Sequence, residues 1–332
     1  MACIRALLSH ENVEVMLVRW QVNQEAPFQF QFPESLKLLT KGEVSMDEIE
    51  KRCLDFQPNI VYIVGWMDKA YLKIAQKLKK QNIPIVAGVD NPWKGTLKQK
   101  MTARLMGIYL SQYITHIWAA GIRQYEFARR LGFDRKNILL GLYSADVKNF
   151  QVENPNLPRK YAKTILHLGR FLDWKGVLEL AQAFAEIQQT QPNDWQLLMV
   201  GRGPLQAVLP QHPKIQFKDF VQPQEAAELM KNVGCFVLAS WEEHWGVSVH
   251  EAAAAACPLL VSEGVASGTA FVRDGYNGYV FRPNDKKSLK EALLKIMQSS
   301  DNQLIEMGER SVELSRQITP EIWASTILST LS

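Results

Sequence analysis

The sequence contains few cysteines and no long hydrophobic run. Its four cysteines lie far apart in the 332-residue chain and form no C-x-x-C pair: Cys3, Cys53, Cys235 and Cys257. This spacing predicts neither a zinc site nor a disulfide framework, so a reducing cytosol is the simplest compartment. No apolar run approaches the ~20 residues of a membrane span, and no secretory leader pattern opens the chain. We therefore expect a soluble or peripheral protein.

Neither sign of charge dominates the chain. A net charge of +4 and a pI near 8.7 fit an ordinary solvated surface or a mild attraction toward anionic lipids and substrates, and we expect no nucleic-acid partner. Apolar residues make up 47% of the sequence, which is enough to bury a large core, and the length favours two domains over one. A mainly disordered protein is excluded.

Short apolar runs alternate with amphipathic helical stretches, which is the pattern of parallel sheets covered by helices. A first set of runs predicts strands within residues 12–20, 59–65, 83–90, 116–121 and 137–141. A second set predicts strands within residues 164–170, 196–201, 214–220, 234–240, 258–264 and 277–281. The repetition predicts two α/β domains.

Residues 152–163 separate the two sets and hold two prolines and several charges but no apolar period, which predicts an interdomain linker. We expect an N-terminal domain over residues 1–151 and a second domain over residues 152–318. Pro320 begins a separate amphipathic helix, so we expect residues 319–332 to form a C-terminal helix that packs elsewhere, with the first domain as the candidate.

The segment WEEHWGVSVHE places a loop carboxylate and a helix carboxylate eight positions apart. The apolar run before it predicts a buried strand, and the run after Gly246 predicts a helix. Glu243 then lies on the connecting loop, and Glu251 lies about 7 Å along the helix. Carboxylates accept hydrogen bonds from ribose or sugar hydroxyls, whereas the helix N–H groups near Val247 and Ser248 suit phosphate. The pattern favours a nucleotide-sugar site.

Two further loops follow predicted strands, at the carboxyl ends where open α/β sheets bind ligands. In HLGRFLDWKG, Gly169 permits a tight turn, and Arg170 and Lys175 place two cations where an incoming diphosphate would be stabilised. In VGRGP, Gly201 and Gly203 allow the backbone to approach a ligand closely. The alternatives are a solvated loop with incidental charge for the first and an ordinary strand–helix turn for the second.

Four motifs, in this order, resemble the C-terminal domain of retaining glycosyltransferases of family 4, the group 1 glycosyltransferases with the GT-B fold: LGRFLDWKG, VGRGP, EHWGVSVHEAAAAACPLLVSE and DGYNGYVF. The resemblance covers roughly residues 146–330. It implies an α/β protein with two Rossmann-like, doubly wound domains of parallel sheet that face each other across a cleft. The C-terminal domain would hold a nucleoside-diphosphate sugar and the N-terminal domain an acceptor, and transfer would retain the anomeric configuration.

The same resemblance implies a role for each matching residue. Arg170 and Lys175 would bind the diphosphate and Glu243 the hydroxyls of the donor sugar, which makes these three the candidate catalytic residues. Glu251 would bind the ribose. The other candidate donor contacts are close approaches of the backbone: Gly169, Gly201, Gly203, Gly246, Val247 and Ser248.

The chain contains no D-x-D sequence, the usual metal-holding signature of the other large glycosyltransferase fold. Negative charge that develops on a departing nucleoside diphosphate can be stabilised by fixed cations and helix amides. We therefore expect a metal-independent site without a cofactor, whose donor substrate is a UDP-sugar or a GDP-sugar. His244 and His250, which flank the acids, are interpreted as neutral packed or exposed side chains.

The N-terminal half resembles the family more weakly. GLYSADVKNF is similar to the segment that ends the first domain, with Asp146 and Phe150 in the corresponding places. Asp90 follows a predicted strand and is interpreted as an acceptor contact or proton relay, with a helix N-cap as the alternative. Family members open with an apolar strand, whereas this chain begins almost inside a helix, so we expect the first strand to be missing.

Residues 93–110 predict a basic amphipathic helix. Its cations are Lys94, Lys98, Lys100 and Arg104, and its apolar residues are Trp93, Leu97, Met101, Leu105 and Ile108. One interpretation is a peripheral contact with a membrane surface. The other is a helix whose apolar face packs in the core and whose basic face is solvated.

The resemblance implies a hexosyl-type glycosyltransferase that moves a sugar to a glycan or lipid-linked acceptor, in surface polysaccharide or glycoconjugate biosynthesis. We expect it in the cytoplasm, with a peripheral position on the inner face of the membrane if residues 93–110 bind lipid. Two alternatives stay open. One is a nucleotide-sugar epimerase of GT-B fold, and the other is an inactive donor-binding or partner subunit.

Overall fold

The computed structural model describes residues 1–22, 27–152 and 162–331. Most of the predicted linker, residues 152–163, lies outside the described residues, and its last two residues, Ala162 and Lys163, belong to the strand Ala162–Leu168. The strands are β1 Met16–Arg19, β2 Lys37–Thr40, β3 Val61–Ile63, β4 Ile85–Val89, β5 His116–Ala119, β6 Ile138–Leu140, β7 Ala162–Leu168, β8 Gln196–Val200, β9 Ile215–Lys218, β10 Val233–Leu238, β11 Leu259–Ser262 and β12 Gly278–Phe281.

The helices are α1 Ala2–Leu8, α2 Met46–Asp55, α3 Lys69–Lys79, α4 Leu97–Leu110, α5 Ile122–Leu131, α6 Val147–Phe150, α7 Val177–Thr190, α8 Pro223–Lys231, α9 Val247–Ala254, α10 Gly268–Phe271, α11 Lys286–Gln298, α12 Asp301–Ser315 and α13 Pro320–Leu328. Each of the eleven strands predicted from the sequence is confirmed. Strand β2 was not predicted, because its only apolar residues are two adjacent leucines in a polar stretch.

The chain divides into two compact units, Met1–Ser144 with Pro320–Ser332, and Ala145–Thr319. Both are Rossmann-like α/β units, as the sequence predicts. The second unit contains a six-stranded sheet in the order β12-β11-β10-β7-β8-β9, in which every neighbouring pair is parallel. The order reverses between β7 and β10, which are adjacent at the centre. This is the doubly wound order with one topological switch point.

The centre of that sheet is closed to solvent on both faces. All six residues of β10 are buried, and the aromatic rings of Phe171, Phe184 and Phe236 are completely buried around the sheet. Central strands of parallel sheets are covered by helices on both sides, which explains their continuous apolar sequences. The carboxyl ends of β7 and β10 are thereby held rigidly next to each other.

The first unit contains a four-stranded parallel sheet in the order β3-β4-β5-β6 and a separate parallel pair, β1-β2. Helix α13 belongs to this unit and packs against α1. The indole of Trp323 stacks on Trp118 with ring centres 4.6 Å apart and donates a hydrogen bond of 2.7 Å to the carbonyl of Leu142. The last helix is thus fixed by an aromatic contact and a buried hydrogen bond.

Candidate active site

The topological switch point of the second unit brings two loops together. The loop after β7 carries Arg170 and Lys175, and the loop after β10 carries Glu243. The backbone N–H of Trp241 donates a hydrogen bond of 2.8 Å to the carbonyl of Trp174, which ties one loop to the other. In open α/β sheets, ligands bind outside the carboxyl ends of the strands at such a point. The sequence placed these candidate residues on strand ends, and the sheet order makes those ends neighbours.

Lys175 and Glu243 form an ion pair across the two loops. The Glu243 carboxylate also accepts a hydrogen bond of 3.2 Å from the Ser240 hydroxyl. The side chains of the pair are only 14% and 20% exposed, so both charges are largely withdrawn from water yet still reach the surface. Separating such a pair would leave a poorly solvated charge, so Lys175 would leave Glu243 only for another anion. Arg170 lies on the same loop and is exposed.

The two glycines of VGRGP are required by the packing of the protein itself. A Cβ atom on Gly201 would lie 1.9 Å from the carbonyl oxygen of Gly169, and one on Gly203 would lie 2.3 Å from that of Phe171. The N–H of Phe171 donates to the carbonyl of Arg202 at 2.8 Å. The loop after β8 therefore supports the loop that carries Arg170 and Lys175.

Helix α9 begins at the same edge of the sheet. Gly246 is its N-cap residue, adopts a φ of +88° and contributes no side-chain cap. A Cβ on Gly246 would lie 3.1 Å from Glu243 Cγ, so the glycine permits the glutamate to lie against the helix start. The first N–H groups of α9, at Val247 and Ser248, begin the helix with no side chain capping them. Such a helix start attracts anions through its backbone dipoles.

Glu251 lies at the fifth position of α9, about 7 Å from the helix start. Desolvation and, to a smaller extent, the nearby charge of Asp146 together raise the pKa of its carboxyl group to about 7. A carboxyl group with this pKa is balanced between a hydrogen-bond donor and an acceptor near neutral pH. The two carboxyl groups thus have different surroundings: Glu243 is paired with a cation, whereas Glu251 lies close to another acid.

His250 is completely buried next to Glu251 and connects three parts of the second unit. The N–H of Ala145 donates a hydrogen bond of 3.1 Å to Nδ1, and Nε2 lies 2.9 Å from the carbonyl oxygen of Ser315, which fixes the proton on Nε2. The ring stacks on Phe271 with centres 4.1 Å apart. Burial lowers its pKa to about 4, so the ring is neutral, as the sequence interpretation expected. Its bridging role could not be read from the sequence, because its partners are 105 and 65 residues away.

Replacing His250 by alanine is expected to destabilise the fold by about 2–4 kcal/mol, because it removes a buried hydrogen bond at each ring nitrogen and a stacked ring. The neutral ring stabilises the fold above pH 6.5, and this contribution is lost as the pH falls toward 4. The stability difference from wild type should therefore narrow over that range. Denaturant unfolding measures it, and His244→Ala, at an exposed position in the adjoining loop, is the control. Equal stabilities of the two variants would contradict the bridging role.

A second buried histidine lies close to the ion pair. His167, on β7, is completely buried, and neither ring nitrogen makes a hydrogen bond of ordinary geometry. Burial and the charge of Lys175 lower its pKa to about 4. The sequence analysis did not select His167, because one polar residue within an apolar strand gives no periodic signal. Its neutral ring adds no competing charge behind Lys175.

In the first unit, Asp90 follows β4 directly and accepts a hydrogen bond of 3.1 Å from the hydroxyl of Tyr143. The side-chain amide of Gln124 donates to the carbonyl of Asp90 at 2.9 Å. Burial and the nearby Asp90 charge raise the pKa of Tyr143 well above its usual value, so its hydroxyl stays protonated and available as a donor. The N-cap alternative is wrong for the described helices, since α4 is capped by Thr96 and α5 begins after Gly121.

The basic amphipathic helix exists as α4, but the large apolar residues of its predicted stripe do not pack in the core; only Trp93, which precedes the helix, packs against it. Leu97, Met101 and Leu105 are 77%, 76% and 69% exposed. The buried face consists instead of small residues and a terminal leucine: Ala103, Gly107 and Leu110. The interpretation of a helix packed through its apolar stripe is therefore wrong.

The described residues contain neither a metal-binding cluster nor a membrane-spanning helix. No cluster of three or more His, Cys, Asp or Glu side chains there is arranged to hold a metal ion. No helix in residues 1–22, 27–152 or 162–331 is both long enough and apolar enough to cross a membrane.

Residues 149–313 match the family described as glycosyl transferases group 1. A curated relative, D-inositol 3-phosphate glycosyltransferase of Corynebacterium efficiens, is 24% identical over 178 residues, which are 50% of this chain and 41% of that protein. The chain therefore matches less than half the length of this relative. The matched family region covers nearly all of the second unit, including both loops of the switch point.

Solved glycosyltransferase structures share the fold of the whole chain. Anabaena Alr3699/HepE in complex with UDP superposes with a TM-score of 0.72 at 12% identity and covers 96% of this chain and 99% of its own. Sucrose-phosphate synthase from Thermosynechococcus elongatus gives 0.72 at 16% identity, over 98% and 90% of the two chains. At such identities the likeness concerns the fold, which is GT-B in these structures. The family match thus concerns the second unit, where residues 149–313 are similar to group 1 glycosyltransferases, and the structural likeness extends the GT-B fold to the whole chain.

Proposed function

We propose that the protein is a retaining glycosyltransferase of family 4 that transfers a hexose-type sugar from a UDP-sugar or GDP-sugar to an acceptor hydroxyl. One observation carries the proposal: a half-buried Lys175–Glu243 pair lies at the switch point beside the start of α9, which no side chain caps. Cation, carboxylate and helix amides are the groups that a sugar diphosphate needs. Structures of similar fold contain UDP or UDP-glucose, which supports this donor class.

The donor would divide its groups between these residues. The diphosphate binds Arg170, Lys175 and the N–H groups of Val247 and Ser248, and Gly169, Gly201, Gly203 and Gly246 keep these loops close. The sugar hydroxyls donate to Glu243, and the ribose hydroxyls donate to Glu251. Lys175 exchanges Glu243 for the diphosphate and so frees a carboxylate oxygen for the sugar.

In the reaction, the bond between the anomeric carbon and the diphosphate oxygen breaks, and the acceptor oxygen forms a new bond to the same face. The acceptor proton leaves with the departing diphosphate or through solvent, so the charges balance. Negative charge grows on the leaving oxygen, where Arg170, Lys175 and the α9 amides stabilise it. Because these groups can stabilise the leaving oxygen by themselves, we also propose that the reaction needs neither a divalent metal nor a cofactor.

The acceptor is a glycan or lipid-linked sugar in surface polysaccharide or glycoconjugate assembly, reached from the cytoplasmic side of the membrane. On the acceptor side, the Asp90 carboxylate contacts the acceptor hydroxyl or relays its proton, held in position by Tyr143.

The proposal is tested by incubating the protein in EDTA with UDP-, GDP- and ADP-sugars and an acceptor extract, and following the sugar by NMR. We expect one donor to be consumed and the product to keep the anomeric configuration of that donor. An inverted product would overturn retention. A changed free donor without transfer would show an epimerase, and binding without turnover would show a partner subunit.

A further inference from the structure

Helix α4 exposes an apolar stripe on the side of the helix that faces away from its own unit. Its residues are Leu97, Met101, Leu105 and Ile108, with exposed fractions of 60% to 77%. At 3.6 residues per turn these four positions fall within an arc of about 80°, and the buried residues Ala103, Gly107 and Leu110 lie on roughly the opposite side. The stripe is therefore one continuous surface rather than scattered exposed residues.

The packing of α4 keeps this orientation. A Cβ on Gly107 would lie 1.6 Å from the carbonyl oxygen of Leu131, so α4 approaches the end of α5 through its glycine. Any larger residue at position 107 would push the helices apart. The small face is the one that fits against α5, and the large apolar side chains are left toward solvent.

Cations border the stripe on both sides. On the helical wheel, Lys98 falls next to Leu105 at one edge, and Arg104 and Lys100 fall beside Leu97 at the other. Residues 91–125 contain Lys94 and Arg123 as well, and no aspartate or glutamate. Helix α5, which packs on α4, contains one acidic residue, Glu126, and its carboxylate pairs with Arg130. The border of the stripe is thus uniformly basic.

We propose that α4 docks on an anionic lipid surface, with its apolar stripe among the acyl chains and Lys98, Lys100 and Arg104 at the headgroups. Basic residues along the edges of an exposed apolar helix face are the arrangement that binds negatively charged lipid surfaces. This inference goes beyond the proposed transfer, and its test needs neither donor nor acceptor. A negative result for lipid binding therefore does not contradict the proposed sugar transfer, and the reverse also holds.

The test is co-sedimentation of the full chain with phosphatidylcholine vesicles, with and without phosphatidylglycerol. Wild type should bind the anionic vesicles and lose binding as salt rises. Met101→Asp with Leu105→Asp, and separately Lys98→Gln with Lys100→Gln and Arg104→Gln, should each weaken that binding about 10–100-fold. Val208→Asp, at a residue of the second unit that is 60% exposed, is the matched control and should bind as wild type.

Because all these positions are exposed, the variants should unfold at the wild-type temperature. Unchanged binding in both α4 variants, or no binding of wild type to anionic vesicles, would overturn the proposal. Sedimentation velocity identifies the competing occupant. A wild-type dimer that Met101→Asp with Leu105→Asp converts to a monomer, without vesicle binding, would show that the stripe contacts a second copy of the chain.

Discussion

Replacing Lys175 by alanine is expected to lower kcat by about 10²–10³-fold, with a much smaller change in the affinity for the donor. Lys175 pairs with Glu243 when the donor is absent. Donor binding breaks this ion pair, so the free energy of the new contact between Lys175 and the diphosphate is partly offset by the loss of the contact with Glu243. When the leaving oxygen gains charge, the interaction strengthens further. Only this increase accelerates the reaction, which is why turnover falls more than binding.

Steady-state kinetics with the donor identified by the screen, together with a titration of the nucleoside diphosphate, separates the two effects. Lys286→Ala is the matched control, because Lys286 belongs to the same unit and pairs with Glu186 at an exposed position. Its kcat should be that of wild type. A Lys175→Ala enzyme that retains wild-type turnover would remove this residue from the catalytic role.

Replacing Glu251 by alanine is expected to weaken nucleotide binding about 10–100-fold, since hydrogen bonds to a charged group contribute about 1.5–3 kcal/mol. The effect should depend on pH. Desolvation raises the pKa of Glu251 to about 7, and the ionised form is the one that accepts from both ribose hydroxyls. Wild-type affinity should therefore rise between pH 6 and pH 8.

The stability of the protein without ligand should change in the opposite direction. A carboxyl group with a raised pKa binds more protons in the folded chain than in the unfolded chain, so its contribution to the unfolding free energy falls as pH rises from about 4.5 to 7. Glu251→Gln keeps the shape of the side chain but cannot ionise. It should abolish both pH dependences. A variant whose nucleotide affinity keeps the wild-type pH profile would exclude Glu251 from the ribose contact.

The sequence predicted most of the fold because buried parallel strands have continuous apolar runs, and each of the eleven runs forms a strand. It also placed Glu243 and Lys175 on strand-following loops. It did not show that these loops are neighbours, since adjacency depends on the order of β7 and β10 in the sheet. The order of the motifs predicted a nucleotide-sugar site, but the sequence did not predict that Lys175 and Glu243 form an ion pair.

Other features could not be predicted because they depend on contacts distant in sequence. His250 is paired with backbone groups of two remote segments, and His167 interrupts an apolar strand with no periodic pattern. For α4, the hydrophobic period identified a stripe but not the side that packs. The packed side is the one that contains Gly107, because only a glycine permits the close approach to Leu131. A glycine does not contribute to a hydrophobic pattern, so the sequence did not predict this side.

The proposed function requires the switch point of the second unit to bind a nucleoside-diphosphate sugar. The most direct measurement is a crystal structure of the protein with the nucleotide that binds most tightly in EDTA. We expect the diphosphate beside Arg170, Lys175 and the N–H groups at the start of α9, with the ribose hydroxyls on Glu251 and the Lys175–Glu243 pair separated. A nucleotide bound elsewhere, or one that leaves this ion pair intact and Glu251 without a ribose contact, would contradict it.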